Sequence, residues 1–431
     1  MLGLPQRVHQ RDLPVSCWLL LLAACAPDGL APLEQRIIDL SDAAFVPAAE
    51  GEGLWGTTLT TGCDLDHDGR AEWAVNAPNT DSTYGPGTVV RVFEGLDVLT
   101  ERHPTDDHIA RYGNVMATGD VDGDGFADLL FSTATTFSDG RVQALVDTEP
   151  EHDTRHQLGE DRSKHVRSLS AQPSGGVFSV WTGPGVRVLH SALSTAPRPE
   201  PHPLDEGDDI LDLTWEDLTE ADVHAYVVGG APLADGYPSL WLAGYVESIE
   251  ADGIVETGSP LLCPLEPLSD LSPCEAVGEL HQERGDANVM LDVDDDGTPE
   301  IATTNSVTPG LDGSVTILDL NGTVRATIRG TGGAQFGTRM STTTAPDGSR
   351  WLVVSQYNYR GTRPGQLYAF RHDQLDGDLT DMDAARIYTD DIQGSPLATS
   401  IAFYQPTPQE PLMLLIGDAF HEKVYYLRFE L

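Results

Sequence analysis

The sequence predicts an all-β fold of seven repeated four-stranded units, a seven-bladed β-propeller, and three observations carry that prediction. A hairpin wrapped around an acidic loop recurs in register at three places. Four weaker copies fill the remaining intervals. The 43 Gly and 29 Pro among 431 residues favour many short elements over long helices. At roughly 100–200 residues per ordinary domain, this length calls for several domains, one very large domain or a repeat array. The repeats decide for the array, and 40% hydrophobic residues are too many for wholesale disorder.

The first element in chain order is an export signal. Arg7 and Arg11 precede the apolar stretch Leu13 to Ala24, too short for a comfortable membrane span but suited to a signal peptide over 1–24. It ends Leu22-Ala23-Ala24-Cys25, which resembles the bacterial lipobox, where the cysteine becomes the acylated first residue of the mature chain. A conventional signal peptide cleaved nearby, leaving Cys25 an ordinary thiol, is the alternative. Residues 25–33 then form a tether and 34–431 the propeller. This places the protein outside the cytoplasm, in the bacterial cell envelope, lipid-anchored at the outer membrane or cell surface. The anchor is its only membrane contact, since no later segment reaches roughly 18 consecutive apolar residues.

The three strong repeats are Leu54 to Pro78, Arg111 to Ala134 and Glu283 to Ser306. In each, a Gly opens a short alternating strand, an acidic loop D-x-D-x-D-G-x-x-[DE] follows, and an apolar run forms a second strand. Further β-rich runs begin downstream at Gly87, Gly140 and Gly313. Weaker copies start at Val177, Ala225, Trp351 and Leu412, each followed by another β-like run. The segments after the second strands fall near 77, 133, 183, 231, 305, 356 and 417, a mean spacing of about 57. The last repeat runs out after three visible strands. The β-like segment Gln35 to Leu40 can supply the missing outer one and close the ring, which limits exposed edges. The charged segment 149–165 reads as a solvated loop between blades.

Tyr112-Gly113, Phe336-Gly337, Gly230-Ala231-Pro232 and, nearly, Asn76-Ala77-Pro78 mark the two ends of the unit. Together with the acidic loop they resemble FG-GAP repeats, the blades of the integrin alpha-subunit N-terminal propeller and of many bacterial secreted proteins. The resemblance spans roughly 34–431, is strongest in the first, second and fifth repeats, and implies a propeller closed by its N-terminal strand. The other four repeats lack the full acidic loop, so no metal is carried over to them.

The acidic loops place carboxylates at positions 1, 3, 5 and 9: Asp64, Asp66, Asp68 and Glu72; Asp120, Asp122, Asp124 and Asp128; Asp292, Asp294, Asp296 and Glu300. Alternate carboxylates on a turn permitted by Gly69, Gly125 and Gly297 converge on one point, and Ca2+ is a hard cation wanting six to eight oxygens. The carbonyls of Arg70, Phe126 and Thr298 at position 7 complete each cage. Three Ca2+ sites are expected, each stapling a hairpin; the alternative is three acidic turns without an ion, whose four carboxylates would repel one another. An EF-hand is excluded, since Val75, Phe131 and Thr303 stand where it needs glutamate and strands flank the loops.

The remaining signals bear on function. With 25 Lys and Arg against 68 Asp and Glu, a net −43, the chain is a poor partner for nucleic acid or anionic lipid. Cys263 and Cys274 flank a Pro-rich loop and suit a disulfide in an oxidising compartment, with Cys63 the odd thiol. Arg284-Gly285-Asp286 spells an adhesion tripeptide, but its Gly aligns with the strand-opening glycine of the repeat. Trp55, Trp73, Trp181, Trp215 and Trp351 fall mostly in strands, where core packing outweighs a sugar-stacking role. His67 sits inside the first acidic loop at a position expected to point outward. No HExxH, GxSxG, P-loop or GxGxxG occurs, and no nucleophile or base stands beside the loops, so the expectation is a monomeric, non-enzymatic binding or adhesion module with a protein or glycan ligand. The rivals are a lectin and a propeller enzyme of the polysaccharide lyase or hydrolase type.

Overall fold

A computed structural model describes residues 35–41, 43–48, 53–78, 89–103, 113–120, 124–134, 140–145, 156–161, 165–172, 176–183, 185–192, 209–213, 224–232, 239–250, 253–264, 275–277, 281–282, 284–305, 312–331, 335–357, 364–393 and 397–431. For 133–276 and 281–286 the backbone course alone is described. The signal segment, Cys25 and the tether lie outside the described residues.

The alternating, glycine-punctuated sequence folds as strands. Among the described residues there are seven sheets and no α-helix, with single 3-10 turns at His372–Gln374 and Asp381–Asp383. Sheet I comprises Leu59–Cys63, Glu72–Ala77, Val89–Glu94 and Asp97–Arg102. Sheet II comprises Met116–Gly119, Asp128–Ala134, Gly140–Leu145 and His156–Asp161, and sheet III His165–Gln172, Gly176–Gly183, Gly185–Ala192 and Asp209–Leu213. Sheet IV comprises His224–Pro232, Ser239–Glu250, Gly253–Pro264 and the short Glu275–Ala276. Sheet V comprises Arg284–Leu291, Glu300–Asn305, Ser314–Leu318 and Val324–Arg329; sheet VI Gln335–Thr344, Arg350–Tyr357, Pro364–Arg371 and Arg386–Gln393; sheet VII Ser400–Tyr404, Met413–Asp418 and Lys423–Arg428. These strands are antiparallel neighbours in chain order, so the turn joining strands one and two stands at the same end as the turn joining three and four. The seven sheets coincide with the seven repeats.

Where side chains are described, second strands are covered on both faces and so read as nearly unbroken apolar runs. Glu72–Ala77 is buried along its whole length, as are Trp351 to Gln356 and Leu414 to Asp418. The fourth strand Asp97–Arg102 has no buried residue. The apolar cores lie between successive sheets. One gathers Val90, Val92, Met116 and Leu129 from sheets I and II, another Leu291, Val315, Leu352 and Phe370 from V and VI, and a third Trp55, Trp73, Phe93, Tyr404, Leu415 and Val424 from I and VII. Trp55, Trp73 and Trp351 are core residues, as the sequence suggests; the side chains of Trp181 and Trp215 lie outside the described set.

First strands touch in chain order from sheet I to sheet VII, and Ser400–Tyr404 of sheet VII touches Leu59–Cys63 of sheet I. A side-chain hydrogen bond recurs at one register position along this series. Thr118 Oγ1 donates to Thr61 O at 2.8 Å, Thr342 Oγ1 to Met290 O at 3.1 Å, and Thr61 Oγ1 to Phe403 O at 2.7 Å. The repeat-opening glycines make the approach possible. Gly113 (φ +72) lies against Val90 and Asn76 of sheet I, Gly337 (φ +97) against Thr304 and Val315 of sheet V, and Gly56 (φ +88) against Gly417, Lys423 and Val424 of sheet VII. Two residues after each glycine, a backbone N–H donates to a side-chain oxygen of its own second strand: Thr58 to Asn76 Oδ1, Val115 to Ser132 Oγ, Ala287 to Thr304 Oγ1 and Arg339 to Ser355 Oγ.

Two expectations need correction. Gln35 to Leu40 does not complete the last sheet; Arg36–Asp39 runs parallel to Arg386–Gln393 at the outer edge of sheet VI. Leu40 is buried and donates to Thr389 O, and the turn closed by Ala43 N–H to Leu40 O reverses the chain. The following strand, Ala44–Pro47, is therefore the one that pairs antiparallel with Lys423–Arg428 in sheet VII. An N-terminal strand does fill the outer place of the last sheet, one turn later than expected. Second, the charged segment 149–165 is not all loop, because His156–Asp161 is the outer strand of sheet II; an edge strand has little apolar surface to cover and tolerates charge. Arg284 to Asp286 lies in the first strand of sheet V, consistent with a repeat-opening role. Cys263 lies in the third strand of sheet IV, opposite Leu240, and the pairing of that strand with Glu275–Ala276 places Leu262 opposite Glu275; Cys274 lies outside the described residues.

The seam between sheets VII and I supplies a test. Gly56 and Gly348 have nearly the same positive φ, +88° and +85°, but a Cβ on Gly56 meets Lys423 O at 3.0 Å while one on Gly348 meets nothing within 4 Å. Both Ala substitutions cost about 1 kcal/mol or more in backbone strain. Gly56→Ala is expected to cost about 2 kcal/mol beyond Gly348→Ala in urea denaturation, and equal losses would show that the seam is loosely packed.

Candidate metal centre

The three acidic loops join the first and second strands of sheets I, II and V. In each, the N–H of the loop glycine donates to the first carboxylate: Gly69 to Asp64 Oδ2 (3.1 Å), Gly125 to Asp120 Oδ2 (3.0 Å) and Gly297 to Asp292 Oδ2 (3.0 Å). The next N–H donates to the position-5 carboxylate: Arg70 to Asp68 Oδ1 (2.8 Å), Phe126 to Asp124 Oδ1 (2.8 Å) and Thr298 to Asp296 Oδ1 (2.6 Å). In the first and third loops Asp68 N–H and Asp296 N–H also donate to Asp66 Oδ1 and Asp294 Oδ1, both at 3.2 Å. Leu65 N–H and Val293 N–H reach forward to the buried Glu72 Oε2 and Glu300 Oε2 at 2.8 and 2.6 Å. These side-chain-closed turns hold the carboxylates in place through the backbone. The glycines take φ of +81°, +94° and +85°, a conformation most side chains resist.

Asp64, Asp66, Asp68 and Glu72 each bring a carboxylate oxygen within 4.8 Å of the others, and Asp292, Asp294 and Glu300 do the same; Asp296 stands outside its set. In the second loop Asp120, Asp124 and Phe126 share the hydrogen bonds of the other two and Asp128 is buried, while Asp122 lies outside the described residues. Asp64 Oδ1 and Asp292 Oδ1 are buried without a hydrogen-bond partner. An all-oxygen, anionic donor set with a buried, unpartnered oxygen at position 1 fits a hard metal cation.

The electrostatics point the same way. Burial pushes Glu72 up to about 8, with the Asp66 and Asp64 carboxylates adding to the rise, and burial likewise lifts Asp64 and Glu300 above their ordinary values. Asp294 is the exception, held below its ordinary value by the Arg325 guanidinium.

Several residues here are invisible to motif reading. Arg70 turns its side chain away from its own loop, to Glu94 Oε1 (2.6 Å) and Glu410 Oε1 (2.7 Å) of sheets I and VII. His67 stacks on Phe126 of the next loop at 4.3 Å and approaches Asp124 Oδ2 at 3.7 Å, so it faces the neighbouring acidic loop where open solvent was expected. Arg325 and Arg350 enter the third loop from sheets V and VI. The available signal was topological: the turn joining strands three and four stands beside the acidic loop, and Arg325 sits just past that turn.

A pH response follows for the chelated protein. Unfolded Glu72 ionises near 4.5 and the folded residue near 8. Between those values the folded state binds more protons, so stability falls as pH rises through the window. Urea titrations of chelated protein are expected to show a loss of about 2 kcal/mol from pH 5.5 to 8.5, allowing for solvent screening. Calcium should remove the loss and Glu72→Gln should remove most of the slope, leaving the smaller share of Asp64 and Glu300; an unchanged slope in the variant would assign it to other groups.

No family model and no curated protein matches the chain. Among solved structures it is similar to a Mycobacterium tuberculosis puromycin-hydrolysing peptidase, with 13% identity and a TM-score of 0.45, over 91% of this chain and 57% of that one. The chain thus spans little more than half the length of that structure. The expectation of a non-enzymatic protein is corrected by this comparison, since the structure it resembles is an enzyme, and the exclusion of catalysis is withdrawn.

Proposed function

We propose that this chain is a calcium-stapled, seven-bladed propeller of the FG-GAP type, exported and lipid-anchored through Cys25, that presents a binding or adhesion surface to a protein or glycan ligand in the cell envelope. The observation that carries the cation is the repeated loop: the same two backbone-to-carboxylate bonds in all three loops, with a buried unpartnered Oδ1 on Asp64 and on Asp292. Calcium is the preferred ion because it accepts six or more oxygens in an adaptable cage, whereas magnesium keeps several waters in a tight octahedron. The ring reading is supported by the sheet VII to sheet I contact, by Gly56 against Gly417 and by Ala44–Pro47 at the outer edge of sheet VII.

The test uses the mature chain, residues 25–431. With a Kd of 10^-4 to 10^-3 M, about 10 mM Ca2+ should raise stability by about 1–3 kcal/mol per occupied site, with a smaller response to Mg2+. Asp64→Ala should remove the first site's share. A glycan and protein-ligand screen of the same material should return binding that is lost only as the fold loosens. No calcium response would overturn the staple, and calcium-dependent hydrolysis or elimination that Asp64→Ala abolishes at unchanged Tm would replace the binding reading.

A further inference from the structure

The first and third acidic loops share their backbone bonds and differ in counter-charge. In the first, four carboxylates gather, and the two basic side chains within the loop engage partners elsewhere: Arg70 binds Glu94 and Glu410, and His67 approaches Asp124. In the third, every gathered carboxylate meets a guanidinium. Arg325 Nη1 is 2.7 Å from Asp294 Oδ2 and its Nη2 3.8 Å from Glu300 Oε1, while Nε bonds Asp319 Oδ1 at 3.0 Å. Arg350 Nη2 is 3.2 Å from Asp292 Oδ2, its Nη1 donates to Asp292 O at 3.0 Å, and it also pairs with Asp295. Arg325 is anchored from two sides and only a quarter exposed. A divalent ion entering this loop must displace or sit beside two fixed positive charges.

Resting on the calcium reading above, we infer that the third loop carries its own counter-ion: Arg325, assisted by Arg350, replaces much of the divalent cation's role at Asp292, Asp294 and Glu300. Calcium then acts far more at the first loop than at the third, and these two staples respond differently to its removal. The first is cation-dependent and lies beside the boundaries of sheet I with II and VII. The third is permanent and ties sheet V to sheet VI through Arg350. Arg325 is the residue that sets this selectivity, since it stands between Val324 and Ala326 just past the turn after the third strand, and the residue at the same register place in sheet I, between Val98 and Thr100, is the uncharged Leu99.

Hydrogen exchange of the mature chain with and without a chelator reads both loops at once. Amides of Leu59–Ala77 are expected to lose at least tenfold in protection on chelation, and those of Asn288–Asn305 less than twofold. In Arg325→Gln the second segment should become calcium-dependent, and the third loop should bind Ca2+ at least tenfold more tightly by calorimetry. Equal loss in both segments of the wild-type chain overturns the inference while leaving the calcium reading intact. No calcium effect on either segment overturns the calcium reading and this inference with it. If Arg325→Gln folds only with calcium, the inference is supported; if it folds under neither condition, the wild-type comparison decides.

Discussion

Close approach between neighbouring sheets, permitted by a residue with no side chain, is the constraint on which the rest of this structure depends. Gly56, Gly113 and Gly337 open their repeats with positive φ, and each faces the second or third strand of a neighbouring sheet. A Cβ on Gly113 would stand 2.4 Å from Val90 and one on Gly337 2.7 Å from Thr304. At that spacing first strands are near enough for Thr61, Thr118 and Thr342 to bond across sheets, and apolar side chains of facing sheets close into shared cores. Glycine is thus a packing residue here as much as a turn residue.

The same spacing brings the strand-one-to-two loops of adjacent sheets into contact. Asp64 N–H donates to Ala127 O of sheet II's loop, Ala71 N–H to Pro406 O of sheet VII's, and Arg350 of sheet VI holds Asp292 of sheet V. Carboxylates crowded on this face need local neutralisation, because a chain of net charge −43 has no general positive field to offer. At an effective dielectric of 20, two unit charges 4 Å apart interact by about 4 kcal/mol, so a fixed guanidinium or a divalent ion is a large local effect. Sheet V carries the guanidinium solution in its own sequence, and sheet I leaves its four carboxylates to be matched from outside.

The β class, the seven repeats and the acidic loops were legible in the sequence because each rests on short-range patterning. Gly69, Gly125 and Gly297 mark the tight turn, and the loop hydrogen bonds span at most seven residues. The paths of the chain ends were not legible. Gln35 to Leu40 and Ala44–Pro47 are both β-like, and the tight reversal through Ala43 decides which sheet edge each one meets. Nor were Arg325 and Arg350, which lie 25 and 50 positions beyond Glu300 and reach the loop through a strand register and a sheet-to-sheet contact. His156–Asp161 was hidden for another reason: an outer strand has no apolar face to advertise.

The position of the first loop gives its counter-charge a particular weight. It lies beside the seam where sheet I meets sheet VII, and the Thr61 to Phe403 bond there spans 342 residues, against 57 for Thr118 to Thr61 between sheets I and II. Loop-closure entropy grows with the logarithm of length, so joining the ends costs about 1.5 kcal/mol more than joining sequential repeats. That cost is met locally: Gly56 seats against Gly417, Arg70 crosses to Glu410, Thr399 and Ser400 donate to Gly56 O, and Ala44–Pro47 covers Lys423–Arg428. A cation at Asp64, Asp66, Asp68 and Glu72 would add its binding free energy to the sheet that carries this seam. The third loop joins sheets already adjacent in sequence, where a pair of arginines suffices.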